Sequence, residues 1–197
     1  MKVLLATRNA KKLDELRRIL IGSPGIELVG LDDVPDYPEA PETGLTFAEN
    51  ALLKAREGVK YTGLPTVADD SGIAVDALNG MPGVFSARWS GKHGDDRANL
   101  ELVLAQLSDV DDAHRGAQFV CAAAFVLPGG KEHLVHGSMP GRLTRAPRGE
   151  GGFGYDPIFI ADGQTKTNAE LDPAEKDAIS HRGKAFRGLA SVIAKSL

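Results

Sequence analysis

Several features that define specialised classes of protein are scarce in this sequence. Among 197 residues there is one cysteine, Cys121, and its apolar surroundings predict a small buried side chain rather than half of a disulfide. No apolar run approaches the ~18 residues of a membrane-spanning helix, and the net charge of −4 lacks the basic excess of proteins that coat nucleic acid. We therefore expect a cytoplasmic globular protein with neither a membrane nor a nucleic acid as its partner.

What the sequence does contain is a succession of short apolar segments and helical patterns. Strands are predicted at 3–6, 26–29 and 158–161, and helices at 13–20, 46–60, 97–107 and from 173 towards the C-terminus. Two longer strands, 117–127 and 132–138, flank a Pro-Gly-Gly turn, a pattern typical of an antiparallel hairpin. The pattern argues against an all-parallel sheet and favours one α/β domain over 1–197 with two lobes.

Asp69 and Asp70 stand between two short apolar stretches, 65–68 and 72–75, and we expect the pair at the edge of a sheet. Neighbouring residues on a strand point to opposite faces, so at most one carboxylate would face a given pocket unless a turn begins there. Such carboxylates suit Mg²⁺, which is usually held by one or two of them together with water and phosphate oxygens. A polar turn with an Asp that caps backbone donors explains the same residues.

The segment from Thr7 to Lys12 connects the first predicted strand to the first predicted helix. Backbone N–H groups at a helix N-terminus, supplemented by Lys or Arg, attract phosphate. The segment lacks the glycines and the Gly-Lys-Ser/Thr ending of a Walker loop. Capping of the helix by Asn9, with the lysines in solvent, is the alternative interpretation.

Two further segments contain residue types that bind nucleotides. In 151–157, aromatic residues stand among glycines; glycine allows close approach of a ligand, an aromatic ring stacks on a base, and a carboxylate binds a base edge. In 176–182, a lysine precedes a Ser-His-Arg sequence whose donors suit a phosphate or the 6-oxo group of a purine. Core aromatics at a bulged strand entrance and a solvated basic helix face are the respective alternatives.

Taken together and in this order, the segments resemble the family of inosine and xanthosine triphosphate pyrophosphatases, which remove non-standard purine nucleotides from the precursor pool. The resemblance covers nearly the whole chain and rests on A-T-R-N-A-K-K at 6–12, E-T-G-L-T-F-A-E-N at 42–50, A-D-D-S-G at 68–72, G-V-F-S-A-R-W-S-G at 83–91, G-G-F-G-Y-D-P-I-F at 151–159 and E-K-D-A-I-S-H-R at 175–182. It implies an elongated mixed central β-sheet with flanking helices that form two lobes around a nucleotide cleft, and a homodimer. It also implies hydrolysis of ITP, dITP and XTP to the monophosphate and pyrophosphate, with Mg²⁺ as cofactor.

The resemblance also implies roles for particular residues. Asp70 corresponds to the catalytic proton acceptor and to a metal ligand. The implied substrate-binding positions are Thr7, Arg8, Asn9, Ala10, Lys11, Lys12, Ser71, Phe153, Gly154, Tyr155, Asp156, Lys176, His181 and Arg182. Phe153 is expected to stack on the base and Asp156 to hold its edge, while His181 and Arg182 bind on the phosphate or 6-oxo side.

Two departures from the family pattern affect these assignments. Relatives often have glycine where Arg8 and Lys11 stand, so each side chain either adds charge to the phosphate site or points outward. Pro41 stands where relatives can carry the first of two consecutive glutamates, and the second metal carboxylate is therefore placed at Glu42.

Other functions share several of these features. A pyrophosphatase for modified pyrimidine or standard nucleotides would use the same phosphate site with another base pocket. A regulatory module would bind the nucleotide without cleaving it, although the carboxylates and Lys12 count against this. A serine hydrolase is not supported, because Ser71 lacks the Gly-x-Ser-x-Gly elbow.

Overall fold

The computed structural model describes residues 1–20 and 25–196, and within them the chain forms six strands and five α-helices. In chain order these are β1 (Lys2–Leu5), α1 (Ala10–Leu20), β2 (Glu27–Val29), α2 (Phe47–Thr62), β3 (Thr66–Val75), α3 (Asp96–Gln106), β4 (Gly116–Val126), β5 (Glu132–Leu143), β6 (Phe159–Ala161), α4 (Pro173–Ile179) and α5 (His181–Ala194). None of the described helices has both the length and the apolar character that crossing a bilayer demands.

The strands form one mixed sheet in the order β2-β1-β3-β4-β5-β6. β1 runs parallel to β2 and to β3, whereas β6 runs antiparallel to β5. β4 and β5 are neighbours, joined by a turn in which Gly130 N donates to the Leu127 carbonyl. The predicted class, a mixed sheet with flanking helices, is confirmed, and β5 continues beyond its predicted end at residue 138 to Leu143.

The chain divides into two compact units. The first unit comprises Met1–Asp70, Cys121–Gly137 and Arg182–Leu197, and the second comprises Ser71–Val120 and Ser138–His181. β3, β4 and β5 each contribute residues to both units. The chain passes between the units within these three strands and, a fourth time, between His181 and Arg182 at the start of α5.

Helices cover both faces of the strands in the first unit. On the face that we call the α1/α5 face, strand residues pack against two helices: Val3, Leu5, Val67, Cys121, Ala123 and Phe125 against Leu16, Leu20, Phe186 and Leu189. On the opposite α2 face, the strands pack against one helix: Leu4, Ala6, Ala68, Ala122 and Ala124 against Ala51 and Ala55. Cys121 is buried in this core, as predicted.

The second unit has its own core, in which α3 packs against strand residues. Its main buried members are Ile73, Val75, Leu100, Val103, Leu107, Phe119, Met139, Leu143, Ile158 and Phe159. The rings of Phe119 and Phe159 meet edge to face with their centroids 4.8 Å apart, a favourable arrangement for aromatic pairs.

The ends of the helices follow the sequence in one place and depart from it in another. At the start of α2, Thr46 Oγ1 accepts from Glu49 N while the Glu49 carboxylate accepts from Thr46 N, so the predicted capping box is confirmed. The single helix expected from residue 173 onwards is instead two helices. Ser180 has an extended backbone, with ψ at 154°, and separates α4 from α5.

The acidic pair lies in the interior of a strand. β3 runs without interruption from Thr66 to Val75 between β1 and β4, so the expectation that Asp69 and Asp70 lie at the edge of a sheet is wrong. Both aspartates are buried. A strand interior retains buried charges only where other side chains pair with them, and here helices on both faces supply the partners.

Candidate functional site

Asp69 and Asp70 meet different partners in the first unit because they point to opposite faces of β3. Asp69 contacts Lys12 of α1 and Arg182 of α5, whereas Asp70 contacts Asn50 and Lys54 of α2. This is the alternation that a strand imposes on neighbouring side chains. The two carboxylates therefore have separate environments although they are adjacent in sequence.

Asp69 belongs to a chain of ion pairs on the α1/α5 face. Its Oδ2 accepts from Lys12 Nζ at 3.1 Å and lies 3.5 Å from Arg182 Nε. Arg182 Nη1 also donates to Glu15 Oε2 at 2.8 Å. Asp69, Glu15 and Arg182 are all buried, so each charge depends on its partners in place of water.

The electrostatic surroundings keep Asp69 ionised. Burial by itself would raise the pKa of Asp69, but Lys12, Arg182 and Lys54 together lower it well below its ordinary value of 3.8. Burial likewise disfavours charge on Arg182, yet Glu15 and Asp69 raise the pKa of its guanidinium. Asp69 consequently has little tendency to accept a proton at neutral pH, and its charge serves to hold Lys12 and Arg182.

Asp70 has the higher proton affinity of the two. Its Oδ2 accepts from Asn50 Nδ2 at 3.1 Å and its Oδ1 accepts from Lys54 Nζ at 3.2 Å. Burial raises the pKa of Asp70 above 3.8, Lys54 and Lys12 lower it by less, and Glu42 raises it again. A raised pKa is the property that a carboxylate needs to take up a proton near neutral pH.

Lys54 joins Asp70 to the predicted second metal carboxylate. Its Nζ donates to Glu42 Oε1 at 3.0 Å as well as to Asp70, so two carboxylates share one ammonium. Burial would lower the pKa of Lys54, but Asp70, Asp69 and Glu42 raise it more, and the ammonium stays charged.

Sequence reasoning did not single out Lys54 or Asn50. The available signal was their spacing, because residues four apart on α2 lie on one face of the helix. Nothing in that spacing identified Asp70 as their common partner, since Lys54 and Asp70 are 16 residues apart.

The Glu42, Lys54 and Asp70 side chains form a group with the donor chemistry of a magnesium site. Mg²⁺ is usually bound by one or two carboxylates, with water and phosphate oxygens as its other ligands, and two carboxylate oxygens converge here on one cationic nitrogen. Within residues 1–20 and 25–196, no group of three or more His, Cys, Asp or Glu side chains is suited to hold a metal. Two carboxylates match the number of protein ligands that Mg²⁺ usually has.

The segment from Thr7 to Lys12 forms the start of α1. Asn9 Oδ1 accepts from Lys12 N at 3.2 Å, so Asn9 caps the helix, and Asn9 N donates to Thr7 Oγ1 at 3.3 Å. Ala10 and Lys11 are exposed in the first turn, which contains no acidic residue. The positive end of the helix dipole is therefore not offset by a carboxylate within that turn, so capping and anion binding are compatible here.

In the second unit, Asp156 organises the aromatic loop, which we define as residues 151–157. Its Oδ2 accepts from Lys176 Nζ at 2.7 Å and from Phe153 N at 2.9 Å, and its Oδ1 accepts from Asn168 Nδ2 at 3.1 Å. Lys176 Nζ also lies 5.1 Å from the centroid of the Phe153 ring. Both carboxylate oxygens of Asp156 thus accept bonds from the protein, which fixes the position of the loop.

The two aromatic side chains of this loop differ in exposure. Tyr155 is buried in the core, and its hydroxyl donates to the Ser86 carbonyl at 2.8 Å. Burial, together with Asp96, raises the pKa of Tyr155. Phe153 is only partly buried. The alternative of a core aromatic therefore describes Tyr155 and not Phe153.

The glycines of the aromatic loop have a backbone role. Gly152 has φ at 69°, and a Cβ placed on it would lie far inside van der Waals contact with Asp156 Oδ2. We expect Gly152→Ala to lower the free energy of unfolding by about 2 kcal/mol, because it adds this clash to an unfavourable φ. Gly130→Ala is the matched control, since Gly130 has φ at 82° with open space around its Cβ position. Equal losses in thermal unfolding would show that the clash has no effect.

The remaining predicted residues lie in several places. In the second unit, the buried His181 ring stacks on the Phe119 ring at 4.9 Å between centroids, and Ser71 is partly exposed on β3. In the first unit, Arg8 turns to the loop of residues 34–44, where its Nη2 donates to the Tyr37 carbonyl.

The structure brings the predicted residues together in two groups. Asn9, Lys12, Glu42, Asp70 and Arg182 belong to the first unit. The second unit contains the aromatic loop, Lys176 and His181.

Two residues that hold the aromatic loop were not predicted. Asn168 donates to Asp156, and Asp96 Oδ2 accepts from Gly154 N at 3.0 Å. Asp96 is the first residue of α3 and is preceded by its N-cap, Asp95, so the sequence suggested only a helix start. Neither residue carried a signal that linked it to the loop, because both contacts depend on the tertiary fold.

Comparison with known proteins places these groups in context. Residues 3–192 match the Ham1 family. A dITP/XTP pyrophosphatase of Nocardia farcinica is 66% identical over 98% of this chain and 95% of its own length. Among solved structures, the nucleoside-triphosphatase / dITP/XTP pyrophosphatase of Mycobacterium abscessus is 62% identical with a TM-score of 0.79 and covers 96% of this chain and 98% of its own. A HAM1 protein from Coxiella burnetii is 43% identical with a TM-score of 0.87 and covers 99% of both chains.

Proposed function

Because this chain belongs to the Ham1 family, we propose that it is an enzyme that hydrolyses the non-standard purine triphosphates ITP, dITP and XTP to the monophosphate and pyrophosphate. The relatives named dITP/XTP pyrophosphatase match it over nearly their full length. Removal of such nucleotides from the precursor pool is the corresponding biological role.

The observation that carries the proposal is the arrangement of charges in the first unit. Asp70 and Glu42 share the ammonium of Lys54, and the partly buried Lys12 pairs with Asp69 on the other face of the same strand. Lys12 and the N-terminus of α1, whose first turn contains no acidic residue, supply positive charge for a triphosphate. The carboxylates supply a base and ligands for a metal.

We assign Mg²⁺ to Asp70 and Glu42, whose carboxylates would hold the ion. Bound there, it would supply neutralisation of phosphate charge and Lewis-acid stabilisation of the leaving group. Asp70 orients a water molecule and accepts its proton as the oxygen attacks the α-phosphorus. Pyrophosphate leaves with the electron pair of the broken P–O bond. Lys54 and Lys12 stabilise its negative charge.

Base selection is assigned to the aromatic loop and to a donor at His181 or Arg182. The aromatic ring of Phe153 is of the type that stacks on a purine, and Lys176 is held beside that ring by Asp156. Donors from His181 or Arg182 match a 6-oxo group, whereas the 6-amino group of adenine would place donor against donor. An unpaired buried donor costs far more than a lost methylene, so ATP is a poor substrate.

The experiment that tests this function is Mg²⁺-dependent pyrophosphate release from ITP, XTP, GTP, ATP, UTP and CTP in parallel. Strong release from ITP and XTP alone supports both the reaction and the base selection. Equal release from all six would favour a pyrophosphatase without this selection, and preference for UTP or CTP would favour a pyrimidine enzyme. Tight ITP binding without pyrophosphate release would make the chain a nucleotide-binding module.

Replacement of Lys54 tests the shared ammonium. We expect Lys54→Gln to lower pyrophosphate release by about 10²-fold, because a cation beside the reacting phosphates is lost. Without Mg²⁺, the thermal midpoint falls because Glu42 and Asp70 face each other without their cation. Added Mg²⁺ then raises the midpoint more than in wild type, since the ammonium no longer competes for the carboxylates.

The matched control for Lys54 is Lys60→Gln on the same helix, where the side chain is exposed and pairs with Glu57. If Lys54→Gln and Lys60→Gln respond alike to Mg²⁺, the metal does not lie at Glu42 and Asp70. The comparison needs no turnover and therefore tests the metal assignment separately from the reaction.

We further propose that the enzyme is a homodimer and works in the cytoplasm. The homodimer follows from the resemblance, and the location follows from the lone buried thiol of Cys121. Light scattering coupled to size-exclusion chromatography decides the first, with the mass of a single chain as the contrary result. Cell fractionation decides the second.

A further inference from the structure

Arg8 stands in the loop that begins α1, yet its guanidinium contacts the acidic loop, which we define as residues 34–44. Its Nη2 donates to the Tyr37 carbonyl at 2.5 Å, and its carbon Cζ lies 5.8 Å from the centroid of the Tyr37 ring. Nη1 and Nε lie 3.8 Å from carboxylate oxygens of Asp36 and Glu39. These two ion pairs are exposed and contribute little, so the contacts with Tyr37 define the position of Arg8.

Tyr37 anchors the acidic loop to α2. It is 8% exposed in a loop whose other members are mostly exposed, and it belongs to the apolar cluster of the α2 face. Its ring stacks on Tyr61, in the last turn of α2, with centroids 5.3 Å apart and planes inclined by 9°. Arg8 therefore contacts a residue of the loop whose ring is packed against α2.

The acidic loop is held on both sides of Glu42. Before Glu42, the loop is fixed at Tyr37 by contacts with Arg8 and Tyr61. After Glu42, Gly44 N donates to Asn50 Oδ1 at 2.8 Å. Between these points, Glu42 reaches Lys54. A carboxylate on an irregular loop keeps its position only if the loop is anchored nearby, because a segment of this length without tertiary contacts adopts many conformations.

We propose that Arg8 is a positioning residue that fastens the acidic loop, and with it Glu42, to the loop that begins α1, and that it is not a ligand of the triphosphate. This inference rests on the proposed function, in which Glu42 is a metal ligand. An arginine suits the task because one N–H donates to a carbonyl while the planar group lies over an aromatic ring. Lysine has the charge without the planar group.

The test compares Arg8→Ala and Arg8→Lys with wild type by hydrogen–deuterium exchange and by kinetics. Both variants are expected to exchange faster over residues 34–44. Both are expected to need about tenfold more Mg²⁺ for half-maximal activity, with KM for ITP changed less than about twofold. Lys2→Ala, which removes another positive charge in the first unit, and Tyr37→Phe, which keeps the ring and the carbonyl, are expected to behave as wild type.

A direct phosphate contact would produce a different pattern. KM for ITP would rise about tenfold in Arg8→Ala, Arg8→Lys would restore it, and exchange over 34–44 would be unchanged; that result overturns the proposal. The exchange comparison needs neither nucleotide nor turnover. If the wild-type chain releases no pyrophosphate, the proposed function fails, while unchanged exchange in the variants would separately refute the fastening role of Arg8.

Discussion

Asp70→Asn is expected to reduce pyrophosphate release from ITP by about 10³-fold or more, while ITP binding stays within about tenfold of wild type. The substitution keeps the volume of the side chain and a neutral hydrogen-bonding group beside Asn50, but it removes the base and one metal ligand. Binding persists because Lys12, α1 and the aromatic loop are unchanged. The turnover rate is measured as pyrophosphate release, and the affinity for ITP is measured by calorimetric titration, both in the presence of Mg²⁺.

Glu101→Gln is the control for this loss, because Glu101 is an exposed carboxylate on α3 that pairs with Arg97. Near-full activity of Asp70→Asn would show that another group accepts the proton. A loss of binding as large as the loss of turnover would mean that Asp70 serves substrate affinity and has no separate role in the chemical step.

Asp69→Asn is expected to have its main effect on stability. Lys12 would lose its ion pair with Asp69, and Arg182 would lose its contact with the same carboxylate, in a region where little water can replace that carboxylate. Breaking a buried ion pair costs about 3 kcal/mol, which corresponds to a fall of about 6 to 12 °C in the thermal midpoint for a chain of this size. Activity falls as well, because Lys12 is no longer held.

The two neighbouring aspartates should respond to pH in opposite ways. The folded-state pKa of Asp69 lies below its ordinary value of 3.8, so its stabilising effect is present above that pH and is lost as the pH falls through the folded value. The folded-state pKa of Asp70 is raised, so the stability linked to its proton is present below 3.8 and is lost as the pH rises through the folded value. Asp70→Asn is therefore expected to be at least as stable as wild type at pH 8.

Thermal unfolding of wild type, Asp69→Asn and Asp70→Asn between pH 4 and pH 8 tests this contrast. The midpoint of Asp69→Asn should stay below that of wild type over the whole range. Asp70→Asn should converge with wild type as the pH falls towards 4. Parallel curves for the two variants would show that opposite faces of β3 do not provide opposite electrostatic environments.

The sequence was sufficient for the local features of the fold. The Thr46–Glu49 capping box fixed the start of α2, and the Pro-Gly-Gly turn identified the hairpin of β4 and β5. Both features depend on residues within a few positions of each other. The order of the motifs along the chain identified the family, because several segments agree in register over nearly its whole length.

Features that depend on partners distant in the chain could not be predicted from the sequence. The sequence around Asp69 and Asp70 suggested a break between two strands, because charged residues are rare inside a sheet. The aspartates are tolerated within β3 because α1, α2 and α5 supply partners for their charges. The division at Ser180 has a similar origin, since the apolar spacing continues through a residue whose backbone is extended. The same holds for Lys54, Asn168 and Arg8, because the partners of these residues are distant in sequence and are brought close only by the tertiary fold.

The chain of ion pairs on the α1/α5 face also has a consequence for biosynthesis. Glu15 and Arg182 are separated by 167 positions, so a nascent chain exposes Glu15 and Asp69 long before the guanidinium that joins them exists. At about 5 to 20 residues per second, the interval between synthesis of Asp69 and of Arg182 is on the order of 5 to 25 s. Over that interval the growing polypeptide carries Glu15 and Asp69 without the cation that contacts both of them in the complete chain. The charge arrangement of the first unit can therefore be completed only after residue 182 has been synthesised. Translation products that stop before residue 182 are expected to be inactive.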